Sequence, residues 1–257
     1  IMRVKKMKPV LFCTAILFAT LTLLFCSNEA CAEEEGNWRF DLAPMYLWAA
    51  NLDGDVVLRR KEASVKLDFN DVFDNLETAF TARFEAWYKN KWGIFFDYNY
   101  LSISGEQETP LPKNLKADIT NSFFNLAVGY RFFSGTHTLD AMAGLRYTFL
   151  DVEVTFLRDP KKPIDKESWA DPIFGLRYRW QMFDKWSVTL YGDAGGLANA
   201  DLTWQGLGLV TFQPWKHVSF GVGYRALYWD YKTGSGIDRF EWDTTMHGPI
   251  IGINFNW

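Results

Sequence analysis

From Trp38 to the last residue the chain alternates apolar and polar side chains with a period of two. In FTARFEAWYKNKWGIFFDYNY, Phe80, Ala82, Phe84, Ala86 and Tyr88 share one face, while Thr81, Arg83, Glu85 and Trp87 share the other. KNK then reads as a tight turn, and Trp92, Ile94, Phe96, Tyr98 and Tyr100 oppose Gly93, Asp97 and Asn99. TLDAMAGLRYTF, DPIFGLRYRW and HVSFGVGYRALYW repeat the pattern, with Leu139, Leu145, Phe174, Leu176, Phe220 and Val222 on apolar faces. A two-residue repeat is the signature of β-strands, whose side chains point alternately to opposite faces. After Glu35 the only helical stretch is a turn or two at NDVFDNLE.

Ten strands are predicted near 38–49, 77–89, 91–105, 114–132, 136–156, 168–182, 185–197, 201–213, 216–230 and 239–257. Short turns fall at 89–91, 133–136, 183–185 and 213–216, and longer loops at 50–76, 106–114, 157–168 and 231–238, with a shorter one near 198–201. Residues 54–60 and 63–69 form a hairpin in the first long loop; were they to join the wall, the count would be twelve, and eight is the other alternative. Within that loop DVFDNL is expected to cap the outer mouth, with Val72, Phe73 and Leu76 packing inward.

Periodicity alone does not say which face is buried. A soluble sandwich or lipocalin hides its apolar face, whereas a membrane barrel turns it to lipid and keeps polar residues in the lumen. Three features favour the membrane barrel. The polar faces are rich in glycine, as a crowded lumen tolerates. Tyr and Trp gather toward strand ends (Trp87, Tyr88, Trp92; Tyr178, Trp180, Trp186; Tyr228, Trp229), where interfacial girdles sit. The strands reach the ten or so residues that a tilted crossing requires. Alternating short and long connections complete an all-β, antiparallel, up-and-down transmembrane barrel.

The N-terminus adds the destination. A basic start, MRVKKMK, precedes the apolar run PVLFCTAILFATLTLLF and the small-residue site around Ala30 and Ala32, which is the order of a cleaved signal peptide. Residues 1–32 are therefore assigned as signal peptide and 33–257 as the barrel. The alternatives are a membrane anchor and a lipoprotein through Cys26, where Phe25 stands in place of the usual small residue. All three cysteines precede residue 33, so no disulfide supports the mature chain. Removing four basic residues and one acid from the totals of 27 and 31 leaves 23 and 30, a net charge of −7. No basic stripe survives for nucleic acid. The expected location is the bacterial outer membrane. The expected partners are its lipid, including lipopolysaccharide, and the barrel-insertion machinery, with the chain acting as a monomer.

Three stretches carry a resemblance: VKLDFNDVFDNLETAFTARFEAWYKNKWGIFFDYNYLSIS, LYGDAGGLANADLTWQGLGLVTFQPWKHVSFGVGYRALYWDY and WDTTMHGPIIGINFNW. They resemble a family of Gram-negative, porin-like outer-membrane β-barrels. The resemblance implies where the protein resides and carries over no catalytic residue. The final alternation Ile251, Ile253, Phe255 and Trp257 also resembles the C-terminal signal by which such proteins are recognised for insertion, with Trp257 in place of the commoner phenylalanine.

The predicted lumen face holds Arg83, Arg131, Arg146, Arg177, Arg179 and Arg225 against Glu85, Asp97, Asp140, Asp171 and Asp193. Mixed sign suits a narrow bore filled by cross-strand pairs, because one sign alone would be buried at a cost of several kcal/mol. The expected role is thus structural or porin-like, with a narrow diffusion channel for small polar solutes as the alternative. A surface enzyme acting on lipid or peptide is the other alternative. His217 and Ser219 are similar to the His-x-Ser pair of barrel lipid A deacylases, but they lie at a short turn, as does His137. His247 with Asp243 resembles the Asp–His dyad of omptin-type proteases, for which further rim acids would be needed. No catalytic site, cofactor or metal is assigned; Asp71 and Asp74 read as solvated loop acids.

Overall fold

The computed structural model describes residues 37–58, 61–107, 115–156, 164–196 and 198–257. The assigned signal peptide, 1–32, lies outside the described residues. The chain runs β1 (Trp38–Ala43), β2 (Tyr46–Trp48), β3 (Asn51–Leu58), β4 (Lys61–Leu67), helix α1 (Phe69–Asp74), β5 (Leu76–Tyr88), β6 (Trp92–Gln107), β7 (Leu115–Phe133) and β8 (His137–Phe156). It continues with β9 (Ile164–Phe183), β10 (Trp186–Gly195), β11 (Ala200–Trp215), β12 (Val218–Thr233) and β13 (Phe240–Asn256). From β5 to β13 each strand pairs antiparallel with the next.

Closure is made by one interrupted strand. β1, β2 and β3 pair in turn with β13, through Leu42 with Phe255, Leu47 with Ile251 and Asp53 with Thr245. β1 also pairs with β5, so the wall is a closed barrel of ten staves. Pro44, which has no N–H to donate, breaks the ladder after Ala43. There the Thr81 hydroxyl takes over the missing backbone pairing, accepting from the Tyr46 N–H at 2.9 Å and donating to the Tyr46 carbonyl. The predicted hairpin exists as β3–β4, but its first arm continues the first wall strand. Gly54 lets β3 lie against β13, since a Cβ there would come 2.1 Å from the Asp243 carbonyl oxygen.

The other predicted strands appear within a few residues of their expected ends. Lys89 and Asn90 adopt φ of 49° and 51°, the left-handed pair of a type I′ hairpin turn. β11 runs two residues past its predicted end through an irregular register around Pro214. β9 starts at Ile164, inside the predicted loop 157–168, because its outer portion is polar on the outward face and carries no outward apolar alternation. The helix at DVFDNL forms, capped by Asp68, whose side chain accepts from the Asp71 N–H at 3.0 Å while Asp71 reciprocates at 3.2 Å. Only Val72 of its apolar residues is buried; Phe73 is exposed, which corrects the expected inward packing.

Along β8, β9, β12 and β13 the same alternate positions stay inward, but the apolar residues change parity. In the half near the short turns the outward residues are apolar and exposed: Leu145 (52% exposed), Phe174 (68%), Leu176 (58%), Val222 and Ile251. Trp38, Trp92, Trp186, Trp215 and Trp257 ring the end that bears the turns. Nearer the long loops the outward residues become charged, as with Asp151, Lys166, Asp230, Lys232 and Glu241, while Leu150, Val152, Trp169, Trp229 and Trp242 point inward and are buried. A strand of twenty residues (β8) is about 66 Å long, so at a tilt of roughly 40° it outruns an apolar band about 25 Å tall. The strands thus cross lipid with one phase and rise into water with the other. Out there ion pairs such as Lys166–Asp151 (2.6 Å) and Arg239–Glu241 (2.7 Å) lie on the surface. The hydrogen bond from Arg239 holds the Glu241 carboxyl below the usual carboxylate range.

The phase change sets a depth-dependent expectation. Leu176→Arg should cost about 2–4 kcal/mol in a reversible unfolding titration in lipid, whereas Ser168→Arg, on the same face above the band, should cost under about 1 kcal/mol. Equal costs at the two sites would contradict the assigned lipid boundary.

Candidate functional site: the barrel lumen

Inward-facing side chains form three levels along the bore. Near the short turns, β5, β7, β8 and β9 bring a chain of alternating charge together. Arg131 donates to both oxygens of Asp140 (2.6 and 3.1 Å), Asp140 accepts from Arg177 (2.8 Å), and Arg177 also grips both oxygens of Glu85 (2.7 and 2.9 Å). Arg83 adds a further bond to Glu85 at 2.7 Å. Trp87 lies beneath this chain with the Arg131 guanidinium 3.8 Å from its ring centroid. Arg131–Asp140 and Asp140–Arg177 are pairs across neighbouring strands, whereas Glu85 and Arg177, 92 residues apart on β5 and β9, come within reach only through closure of the wall.

Two further groups lie farther along the strands, toward the middle of the bore. Arg146, fully buried, donates to Asp193 (2.7 Å), Thr203 (2.7 Å) and Asn125 (2.9 Å). Arg225 reaches Asp97 (2.7 Å), Gln205 (2.6 Å) and the Tyr46 hydroxyl (2.7 Å). A charge taken out of water costs several kcal/mol unless its partners replace the lost hydration. The neutral acceptors Asn125, Thr203, Gln205 and Tyr46 supply what single carboxylates leave undone.

Two predicted ladder residues do something else. Asp171 sits opposite Arg146 in the strand register, but its carboxylate accepts from the backbone N–H groups of Ala200 (2.9 Å) and Asn199 (3.3 Å). It thereby anchors the turn between β10 and β11. Arg179 lines a cavity and takes no direct partner among the described residues.

Toward the long loops the bore is filled by apolar side chains. Phe123, Leu150, Trp169, Leu227, Trp229 and Trp242 belong to one buried cluster. Trp169 and Tyr231 stack with centroids 4.0 Å apart, Phe123 meets Trp229 edge to face at 5.4 Å, and the Trp229 indole donates to the Thr148 hydroxyl at 3.2 Å. Sequence reasoning expected Trp87 and Trp229 in interfacial girdles; both are fully buried inside. The missed signal was the phase flip: in FEWDTTM the even residues Phe240, Trp242 and Met246 are apolar, whereas four residues later the odd ones are. Toward the short turns the bore opens into a cavity of about 210 Å3.

The predicted Asp243–His247 pairing is not formed. The His247 ring lies 2.8 Å from Asp53 and 2.6 Å from the Tyr224 hydroxyl, on the outward face. Asp53 comes from β3, which the sequence reading left in a loop. His137 and His217 sit at the short-turn end, bonded to the Tyr178 hydroxyl (2.6 Å) and the Asn256 carbonyl (2.7 Å). Among the described residues no group of three or more His, Asp or Glu side chains is arranged to hold a metal ion.

No family model matches the sequence, and no curated protein matches it. Solved structures with a similar fold include the outer membrane protease OmpT from Escherichia coli, at 9% identity over 90% of this chain and 100% of that one, with a TM-score of 0.50. The translocator domain of the autotransporter NalP from Neisseria meningitidis covers 94% of this chain and 95% of its own at 12% identity, with a TM-score of 0.46. The outer membrane protein OprG from Pseudomonas aeruginosa matches at 11% identity over 88% and 99%, with a TM-score of 0.37. Closed antiparallel wall, lipid-facing apolar belt and aromatic ring together define an integral β-barrel of the bilayer. The chain has the fold of a Gram-negative outer-membrane protein.

The central network generates a coupling test. Arg146→Gln should destabilise by about 3–5 kcal/mol, because Asp193 is left buried without its cation. Asp193→Asn in the same background should restore part of that loss, giving a coupling energy above about 1 kcal/mol in a double-mutant cycle. Strict additivity would show that the two side chains do not share one interaction.

Proposed function

We propose that this protein is a closed structural barrel of the outer membrane, its bore braced by paired charges and stoppered by aromatic side chains. The observation that carries this reading is the inward layer of Leu227, Trp229 and Trp242, each at most 1% exposed. A passage for small polar solutes needs a continuous polar path, and an apolar layer that excludes water interrupts it. The charge network below supports the same reading, since its members bind one another and leave few groups to coordinate a moving solute. An ion-selective filter would more naturally display one sign of charge. The partners implied are lipid, including lipopolysaccharide, and the machinery that inserts barrels.

Planar-bilayer recording of the purified, folded protein tests the proposal. The wild type should give no single-channel steps, and Trp229→Ala with Trp242→Ala, if it folds, should introduce them by removing two rings from the bore. Discrete steps from the wild type would establish the diffusion-channel reading in its place.

A further inference from the structure

The cavity at the short-turn end has a chemistry that bracing does not explain. It holds about 210 Å3, the liquid volume of about seven waters, and reaches down to Gln181, Gln213 and Asn256 beside the turns. Four arginines line it (Arg83, Arg177, Arg179 and Arg225) against three acids (Asp41, Glu85 and Asp97). Every acid is committed. Glu85 is bound by Arg83 and Arg177, Asp97 by Arg225, and Asp41 by Arg39 and Asn254 at 3.3 Å each.

Arg179 is left over. The charges around it are Arg177, two residues along the same strand, and Arg39, both of like sign, with Glu85 and Asp41, each committed to another arginine; among the described residues it has no hydrogen-bond acceptor. A guanidinium in a narrow bore, beside a second one and with its neighbouring acids already bound by other arginines, favours any anion that can enter. One stretch of the cavity wall is apolar, formed by Leu207, Leu209 and Ile250 on β11 and β13. One unmatched positive charge suits a single negative charge, and the apolar wall suits a compact hydrocarbon body. A phosphate dianion would bring surplus charge and leave that wall unused.

We propose that this vestibule binds a small organic monocarboxylate entering from the periplasmic side, its carboxylate on Arg179 and its apolar body against Leu207, Leu209 and Ile250. Strand pairing fixes the geometry: Thr189 lies directly opposite Arg179 on β10 and can donate its hydroxyl to the same carboxylate. The site goes beyond the closed-barrel reading. Wild-type conductance would overturn that reading and leave this one standing.

Isothermal titration of the full folded protein in detergent micelles tests it, with benzoate and the uncharged benzyl alcohol as probes and empty micelles as the blank. Benzoate should bind at least about tenfold more tightly than benzyl alcohol. Arg179→Gln should remove that preference while leaving benzyl alcohol unchanged, and Arg179→Lys should retain part of it. Leu209→Glu, which places a competing carboxylate in the cavity, should abolish benzoate binding and serves if Arg179→Gln does not fold. Equal affinity for the two probes, or benzoate binding that survives Arg179→Gln or Leu209→Glu, would overturn the proposal.

Discussion

Hydrocarbon offers a peptide group nothing to bond to, and that constraint governs this molecule. Every backbone N–H and C=O within the lipid must find a partner in the wall, at a cost of several kcal/mol for each failure. The pairing of β13 with β1, β2 and β3 is therefore the contact on which the rest depends. On the other edge of that strand Pro44 interrupts the pairing with β5, and there the Thr81 hydroxyl makes the contact good. Closure also encloses a bore of set width, which the inward side chains must fill. Long arginines bridging short carboxylates do so while meeting one another's hydration, which explains why partners as distant in sequence as Glu85 and Arg177 stand 2.7 Å apart.

The same strands serve two solvents. Within lipid the outward face is apolar and the interior polar. Beyond it the outward face carries Asp151, Lys166, Asp230 and Glu241, and the interior becomes a core of Trp229, Trp242 and Leu150 of the kind a soluble barrel has. Nothing in the backbone marks the boundary, because the ladder runs on unbroken. The boundary is written only in which of two alternating positions is greasy. The upper core also fixes the wall's shape from within, where no bilayer presses on it from outside.

Much of the fold was legible, and the reasons are physical. Alternation in lipid is sharp because solvent on one side and lumen on the other differ so strongly, so β5, β6, β8 and β12 could be placed to within a few residues. Turn chemistry located Lys89 and Asn90. Where both faces were of mixed polarity, as in IDKESW, the start of β9 was invisible. The first wall strand was hidden by its own interruptions, and with it the true neighbour of His247, Asp53. The charged lumen residues were legible as a set, but their partners were not, since pairing depends on which strands face each other across the bore. Asp171 illustrates this: its opposite number is Arg146, yet it serves the backbone of Asn199 and Ala200. Trp87 and Trp229 were misassigned because a tryptophan near a strand end has two possible homes, and only its parity decides between them.

The seam has a further meaning for chain entropy. Each hairpin of the wall joins neighbours in sequence, so its loop is short and inexpensive to close. The Asp53–His247 contact joins residues 194 apart, and the entropy lost in closing a loop grows with the logarithm of its length. That penalty falls on a single junction, and it shrinks once the intervening hairpins have stiffened the chain and brought its ends together. Zippering in order from β5 toward β13 is thus the cheapest route, and the ring gains its full cooperativity only when its two most distant staves meet.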